Sequence, residues 1–186
     1  MKKYILISAA VLMSFTAAAP SVAYNPSNTN LLINSILYNQ SAISWDSLKN
    51  TIKGTEGLVL TNYNCAAGYA TIGYGHLNTE RYSVISQEQA EQMLQDDLFY
   101  GRDFLKKHTN LEGNRLKAMS KFVYAFGTYK LWKSKLFKLI KSENFGPEFD
   151  NEYMKWCKIN GRPNNYLKKA RVFELQLFHS QDGYLK

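Results

Sequence analysis

The sequence predicts an α+β protein in which a small antiparallel β lobe is inserted early and a larger helical lobe follows. Two short β-prone segments, residues 58–63 and 69–74, are separated by a turn that contains Asn64 and Gly68. Most of the chain after them has apolar residues at helical spacing. A chain of 186 residues is long enough for one well-buried core but short for two substantial domains. One small sheet followed only by helices therefore indicates two lobes of a single domain.

The first predicted helix begins after Ser44, a typical N-cap, and ends near Glu56. Glu56 continues the apolar face formed by Trp45, Leu48 and Ile52, which recur at spacings of three and four. We therefore expect Glu56 at the edge of buried surface, where burial raises the pKa of a carboxyl group and keeps a proton available near neutral pH. The alternative is an exposed glutamate at a helix end, which is the usual location of this residue type.

Capping signals and apolar periodicity predict the later elements. A third strand is expected near residues 82–85, and the capping-box sequence that starts at Ser86 opens a helix that extends to about residue 105. Further helices are predicted at residues 111–126, 134–141, 147–159 and 165–178.

The N-terminal segment, residues 1–23, is predicted to be an export signal. It has two lysines, then a long uncharged stretch, and small residues that flank a cleavage site after Ala23. Cleavage would make the protein secreted or periplasmic. The alternative is an inner-membrane tether, since residues 4–23 approach the ~20 residues that span a bilayer. Residues 24–42 are rich in Asn and Ser and predict a linker, which leaves residues 43–186 as the folded domain.

The charge of the chain favours anionic partners. The formal net charge is +8, and such an excess suits nucleic acid, anionic lipid or an acidic cell-wall polymer. A nucleic-acid partner conflicts with export, and membrane contact is expected only through the N-terminal segment. No cluster of His, Cys and carboxylates has metal-ligand spacing and no phosphate-cradling motif is present, so we expect no cofactor or metal. We expect a monomer.

The chain contains two cysteines, Cys65 and Cys157. Export would permit a disulfide, but two distant cysteines do not make a disulfide framework. Cys65 lies in the turn between the two strands, where a bridge would obstruct chemistry. We therefore expect two free thiols.

One stretch carries a distinctive pattern. Glu56-Gly57 is followed nine positions later by Cys65, and six positions after Cys65 by the run Thr-Ile-Gly-Tyr-Gly-His that begins at Thr71. With this pattern and weaker landmarks in the same order further on, residues 43–178 resemble the phage-type lysozymes (endolysins) of glycoside hydrolase family 24. These enzymes cut the β-1,4 bond between N-acetylmuramic acid and N-acetylglucosamine in peptidoglycan.

The resemblance implies a lysozyme-like fold and muramidase activity, and the predicted N-terminal signal would make this muramidase an exported one. Glycoside hydrolysis needs an acid that protonates the leaving oxygen and a second group that activates water or attacks the sugar. The resemblance implies that Glu56 is the acid and that Thr71 holds the attacking water in an inverting reaction. Cys65 stands where the family usually has Asp. As a thiolate it could act as base or nucleophile, whereas the thiol would be a weak substitute. Because the family tolerates Cys at this position, we expect activity to be retained.

Two alternatives to a muramidase stay open. The first is a catalytically inactive peptidoglycan-binding module on the same fold. The second is an exported basic protein that acts on membranes through its charge and amphipathic helices. A nucleophilic dyad of Cys65 with His76 has no supporting motif, and the resemblance implies instead that His76 forms an ion pair with Asp97 between the two lobes.

The chain also departs from the family pattern in its helical lobe. The residues are Ala125, Tyr166 and Ala170, where the family commonly has Asn, Gly and Arg. These differences concern contacts with substrate rather than the fold.

Overall fold

The computed structural model describes residues 43–65 and 68–180. The predicted export signal and linker lie outside the described residues. In the part of the chain that is described, no helix is both long and apolar enough to cross a membrane.

The β lobe follows directly from the first helix. Helix α1 (Trp45–Glu56) is capped by Gly57, whose φ of 70° lies in the left-handed region that favours glycine. The chain then forms an antiparallel sheet with the order β1-β2-β3, made of β1 (Val59–Asn64), β2 (Ala70–Gly73) and β3 (His76–Leu77). The end of α1 therefore leads straight into the sheet.

The helical lobe is built around one buried helix. Its elements are α2 (Gln87–His108), α3 (Gly113–Phe126), α4 (Thr128–Trp132), α5 (Lys135–Lys141), α6 (Pro147–Met154) and α7 (Asn165–His179). Helix α3 is buried along most of its length and packs against α2 and α7. A helix that is buried on all sides lies at the centre of a core rather than on its surface.

A single hydrophobic core joins the two lobes. Buried apolar residues from α1 (Leu48 and Ile52) and β2 (Ile72) belong to the same cluster as those of the helical lobe. This arrangement confirms the predicted α+β fold, with a small sheet inserted early and a larger set of helices after it.

The third strand is not where the sequence predicted it. The prediction was residues 82–85, but β3 begins at His76, because the chain turns back directly after β2. Gly73 and Gly75 have φ values of 66° and 101°, which permit this tight reversal. Residues 82–85 instead run along β1, where Val84 forms an isolated bridge.

The predicted helix over residues 147–159 is also too long. Helix α6 ends at Met154, and the chain then forms a short hairpin of β4 (Lys158–Ile159) and β5 (Arg162–Pro163). Asn160 and Gly161 have φ values of 48° and 78°, the left-handed pair that closes a two-residue hairpin. Helix α4, with only five residues, was not predicted.

Candidate active site

Glu56 is the last residue of α1, and its side chain is half-buried. Its Oε1 accepts a hydrogen bond of 3.0 Å from the hydroxyl of Tyr166, in the first turn of α7. The predicted position of Glu56 at the edge of buried surface is confirmed. A residue of the helical lobe therefore contacts a carboxyl group that lies just before the first strand of the β lobe.

Three tyrosines from three different elements face Glu56. They are Tyr63 on β1, Tyr124 on α3 and Tyr166 on α7. Burial, followed by the negative charge of Glu56, raises the pKa of each phenol above its ordinary value. The three phenols therefore stay protonated and uncharged at neutral pH, and that of Tyr166 is hydrogen-bonded to Glu56.

Cys65 lies in the turn between β1 and β2, and its side chain is buried. Its backbone N–H donates to the carbonyl of Tyr69 at 2.9 Å, and its carbonyl accepts from Gly68 at 2.7 Å. Both Cys65 and Cys157 are free thiols. Three causes raise the pKa of Tyr63: burial is the largest, and the negative charges of Glu56 and then Cys65 follow. Glu56 and Cys65 therefore lie within electrostatic reach of the same phenol.

Thr71 lies on β2 directly opposite Tyr63, and only 1% of it is exposed. Its Oγ1 donates a hydrogen bond of 2.8 Å to the carbonyl of Tyr69. Because the hydroxyl proton is used in this bond, Thr71 can offer its lone pairs to a water molecule but not its proton. The sequence pointed to this residue but not to the direction of its hydrogen bond.

His76 contacts carboxylates at both ring nitrogens. Its Nδ1 is 2.8 Å from Oδ2 of the buried Asp97 on α2, and its Nε2 is 3.6 Å from Glu80. This contact confirms the predicted ion pair between the two lobes. Burial alone would lower the pKa of His76, but the hydrogen bond and charge of Asp97, helped by Glu80, outweigh it and raise the pKa. Burial raises the pKa of Asp97, and His76 only partly offsets this.

Sequence reasoning missed the role of two tyrosines. Tyr166 was noted only as a departure from the family's usual Gly, and Tyr124 was not singled out. The hydroxyl of Tyr124 donates to the carbonyl of Tyr74 at 2.5 Å, which links α3 to the β lobe. No local pattern reveals that the hydroxyl of Tyr166 meets Glu56 or that the hydroxyl of Tyr124 reaches the β lobe. In the described residues, no group of three or more His, Cys, Asp or Glu is placed to hold a metal ion.

Comparison with known proteins agrees with this architecture. The family model for phage lysozyme matches residues 53–174. The chain is 36% identical over 136 residues to an endolysin of Bacillus phage B103, an alignment that covers 69% of this chain and 51% of that endolysin. It is also 36% identical over 136 residues to an endolysin of Acyrthosiphon pisum secondary endosymbiont phage 1. That alignment covers 69% of this chain and 92% of that endolysin.

A solved structure shows the same fold. The muramidase domain of SpmX from Asticaccaulis excentricus superposes with a TM-score of 0.61 at 25% identity, and the match covers 74% of this chain and 97% of that domain. The chain spans about half the length of the B103 endolysin. The chain belongs to the phage lysozyme family.

Proposed function

We propose that the protein is a muramidase that hydrolyses the β-1,4 bond between N-acetylmuramic acid and N-acetylglucosamine in peptidoglycan. Membership of the phage lysozyme family supports this proposal, and the relatives named above are endolysins. The observation that carries it is the position of Glu56. This half-buried carboxyl group lies at the junction of the two lobes, and phenols that remain neutral face it.

In this proposal Glu56 is the general acid. It gives its proton to the oxygen of the leaving sugar as the bond from that oxygen to the anomeric carbon breaks. An acid must be protonated near the working pH to do this, and partial burial favours the protonated form of a carboxyl group. The reaction leaves Glu56 as a carboxylate, which is reprotonated before the next turnover.

Cys65 and Thr71 serve the attack on the anomeric carbon. Thr71 accepts a hydrogen bond from the attacking water, since its own proton is donated to Tyr69. A Cys65 thiolate acting as base would take a proton from this water while the water oxygen bonds to the anomeric carbon, which inverts the stereochemistry. A thiolate acting as nucleophile would form a sulfur–carbon bond to the sugar as the glycosidic bond breaks. Water, deprotonated by the Glu56 carboxylate, would then displace the thiolate and give a product with retained configuration. The anomeric configuration of the product therefore distinguishes the two roles.

The proposal is tested by incubating the purified full chain with insoluble peptidoglycan and following the release of soluble fragments and new reducing ends. Glu56→Gln should lower the rate about 10²–10⁴-fold, because the amide cannot supply a proton. The matched control is Glu148→Gln, an exposed glutamate on α6 that pairs with Lys135 and should leave the rate unchanged. If the unmutated chain releases nothing, the muramidase proposal is wrong. Wall binding without release would then favour an inactive binding module.

We also propose that residues 1–23 direct export and that residues 24–42 link them to the catalytic domain. The support is the composition of these segments: two lysines, an uncharged apolar stretch and small residues before the linker. Peptidoglycan lies outside the inner membrane, so a protein made in the cytoplasm must cross that membrane to reach it. The mass of the exported chain distinguishes a cleaved signal from a retained tether.

A further inference from the structure

We propose that Tyr166 is a positioning residue for Glu56. Its hydroxyl donates to Oε1 of Glu56 and so fixes the orientation of the carboxyl group that gives its proton to the glycosidic oxygen. This inference rests on the proposed muramidase function and adds a residue that the sequence did not place in the site.

The hydrogen bond joins two rigid helix ends. Tyr166 lies in the first turn of α7, where the side chain of Asn164 accepts a hydrogen bond of 2.9 Å from the backbone of Leu167 and caps the helix. Its hydroxyl donates to Oε1 of Glu56 at 3.0 Å, while the hydroxyl of the neighbouring Thr55 donates to carbonyls of its own helix. The phenol therefore ties the first turn of α7 to the last residue of α1. Such a contact restricts the rotation of the Glu56 carboxyl group.

The surroundings keep Tyr166 a hydrogen-bond donor. Burial, then the charge of Glu56, raises its pKa well above the ordinary value, and Glu174 contributes in the same direction. Glu56 also raises the pKa of the phenols of Tyr63 and Tyr124, and Cys65 raises that of Tyr63. The hydroxyl of Tyr124 is already committed to a backbone carbonyl. Tyr166 therefore presents a proton to Glu56 across the whole pH range in which a muramidase would work.

The same bond favours the proton transfer itself. When Glu56 gives its proton to the glycosidic oxygen, the electron pair of the broken C–O bond stays on that oxygen and Glu56 becomes negative. A hydroxyl binds an ionised carboxylate more strongly than a neutral acid, and such bonds shorten to about 2.5–2.7 Å. The Tyr166 bond therefore strengthens as the charge develops. An interaction that is stronger in the transition state than in the ground state raises kcat.

The test is Tyr166→Phe, which removes the hydroxyl and keeps the ring. We expect kcat on peptidoglycan to fall about tenfold or more, with KM changed much less. We also expect the alkaline limb of the pH–rate profile to move upward by about one pH unit, because the lost donor stabilised the carboxylate and its removal raises the pKa of Glu56.

A matched control separates positioning from stability. Tyr153→Phe removes the same kind of bond at another site, where the hydroxyl donates to buried Glu174 at 2.8 Å. This control should lower the melting temperature but leave the alkaline limb in place. A Tyr166→Phe variant that behaves like the control would overturn the inference, as would one with a higher kcat than the unmutated chain.

A second measurement does not depend on activity. The Glu56 carboxyl group is titrated by NMR in the full chain and in Tyr166→Phe, and we expect a higher pKa in the variant. An unchanged titration would show that Tyr166 does not act on Glu56. If the unmutated chain fails to cleave peptidoglycan, the proposed function fails, while this titration still decides the role of Tyr166.

Discussion

Two glutamates in this protein accept a hydrogen bond from a tyrosine, but their surroundings differ. Glu174 on α7 is fully buried, and it binds Tyr153 at 2.8 Å, Lys121 at 3.0 Å and Arg171 at 2.7 Å. Glu56 is half-buried, binds Tyr166 at 3.0 Å and is faced by further phenols. Two cations compensate the charge of Glu174, so it is suited to hold the helices together. Glu56 is only half-buried and accepts a hydrogen bond from the neutral hydroxyl of Tyr166, so it is suited to gain and lose a proton.

The Glu174 cluster contains more positive charge than negative. The guanidinium carbon of Arg171 lies 5.0 Å from the ring centroid of Phe122 and 4.7 Å from that of Phe126. Among the described residues, Nε and Nη1 of Arg171 have no hydrogen-bond partner. Aromatic faces partly compensate such a cation, but the one shared carboxylate remains its strongest partner. The stability of the helical lobe should therefore depend on Glu174.

The largest effect on stability is expected for Glu174→Gln. It leaves Lys121 and Arg171 buried without a countercharge, which should lower the free energy of unfolding by about 3–5 kcal/mol. Glu56→Gln should change it by less than about 1 kcal/mol. Denaturant unfolding monitored by circular dichroism measures both. If the two variants lose stability equally, the distinction between a structural and a catalytic glutamate is wrong.

A change at Cys65 should affect activity rather than stability. Cys65→Ala should lower the rate on peptidoglycan about 100-fold, whereas Cys65→Asp should retain activity, because a carboxylate can replace the thiolate. Aspartate ionises at a much lower pH than a thiol, so the acidic limb of the pH–rate profile should move to lower pH in Cys65→Asp. Cys157→Ala is the matched control and should behave like the unmutated chain. Full activity in Cys65→Ala would remove Cys65 from the mechanism.

A smaller effect on stability than that of Glu174→Gln is expected at the His76–Asp97 pair, which joins the two lobes. The pKa of His76 is raised in the folded state, so the native protein binds its proton more tightly than the unfolded chain. The resulting stability is fully present below the unfolded pKa of about 6.5 and is lost as the pH rises through the folded value. His76→Asn should therefore lower the free energy of unfolding by about 1 kcal/mol near pH 6 and by less near pH 8.5.

Unfolding curves at several pH values measure this difference. Glu80→Gln is the control, and its effect should be smaller because its contact with His76 is 3.6 Å long and its side chain is 40% exposed. If the loss of stability caused by His76→Asn grows as the pH rises, the predicted direction of the pH dependence is wrong.

Local patterns predicted the elements that carry the site. Apolar spacing placed Glu56 at the end of a half-buried face, and the spacing from Glu56 through Cys65 to Thr71 indicated the family. The sequence failed where local preferences compete. The segment 82–85 is β-prone but gives only an isolated bridge, and the helical pattern after residue 154 ends because an Asn-Gly pair closes a hairpin.

The sequence by itself therefore determined the fold class, the family and the residues expected to react, because periodicity, capping and motif spacing are properties of neighbouring positions. Only the tertiary structure decided what surrounds Glu56. Tyr166 follows it by 110 positions, and the two meet because α7 packs on α3 within a core that the two lobes share. A contact between side chains on distant elements depends on how the whole core packs, and no local pattern carries that information.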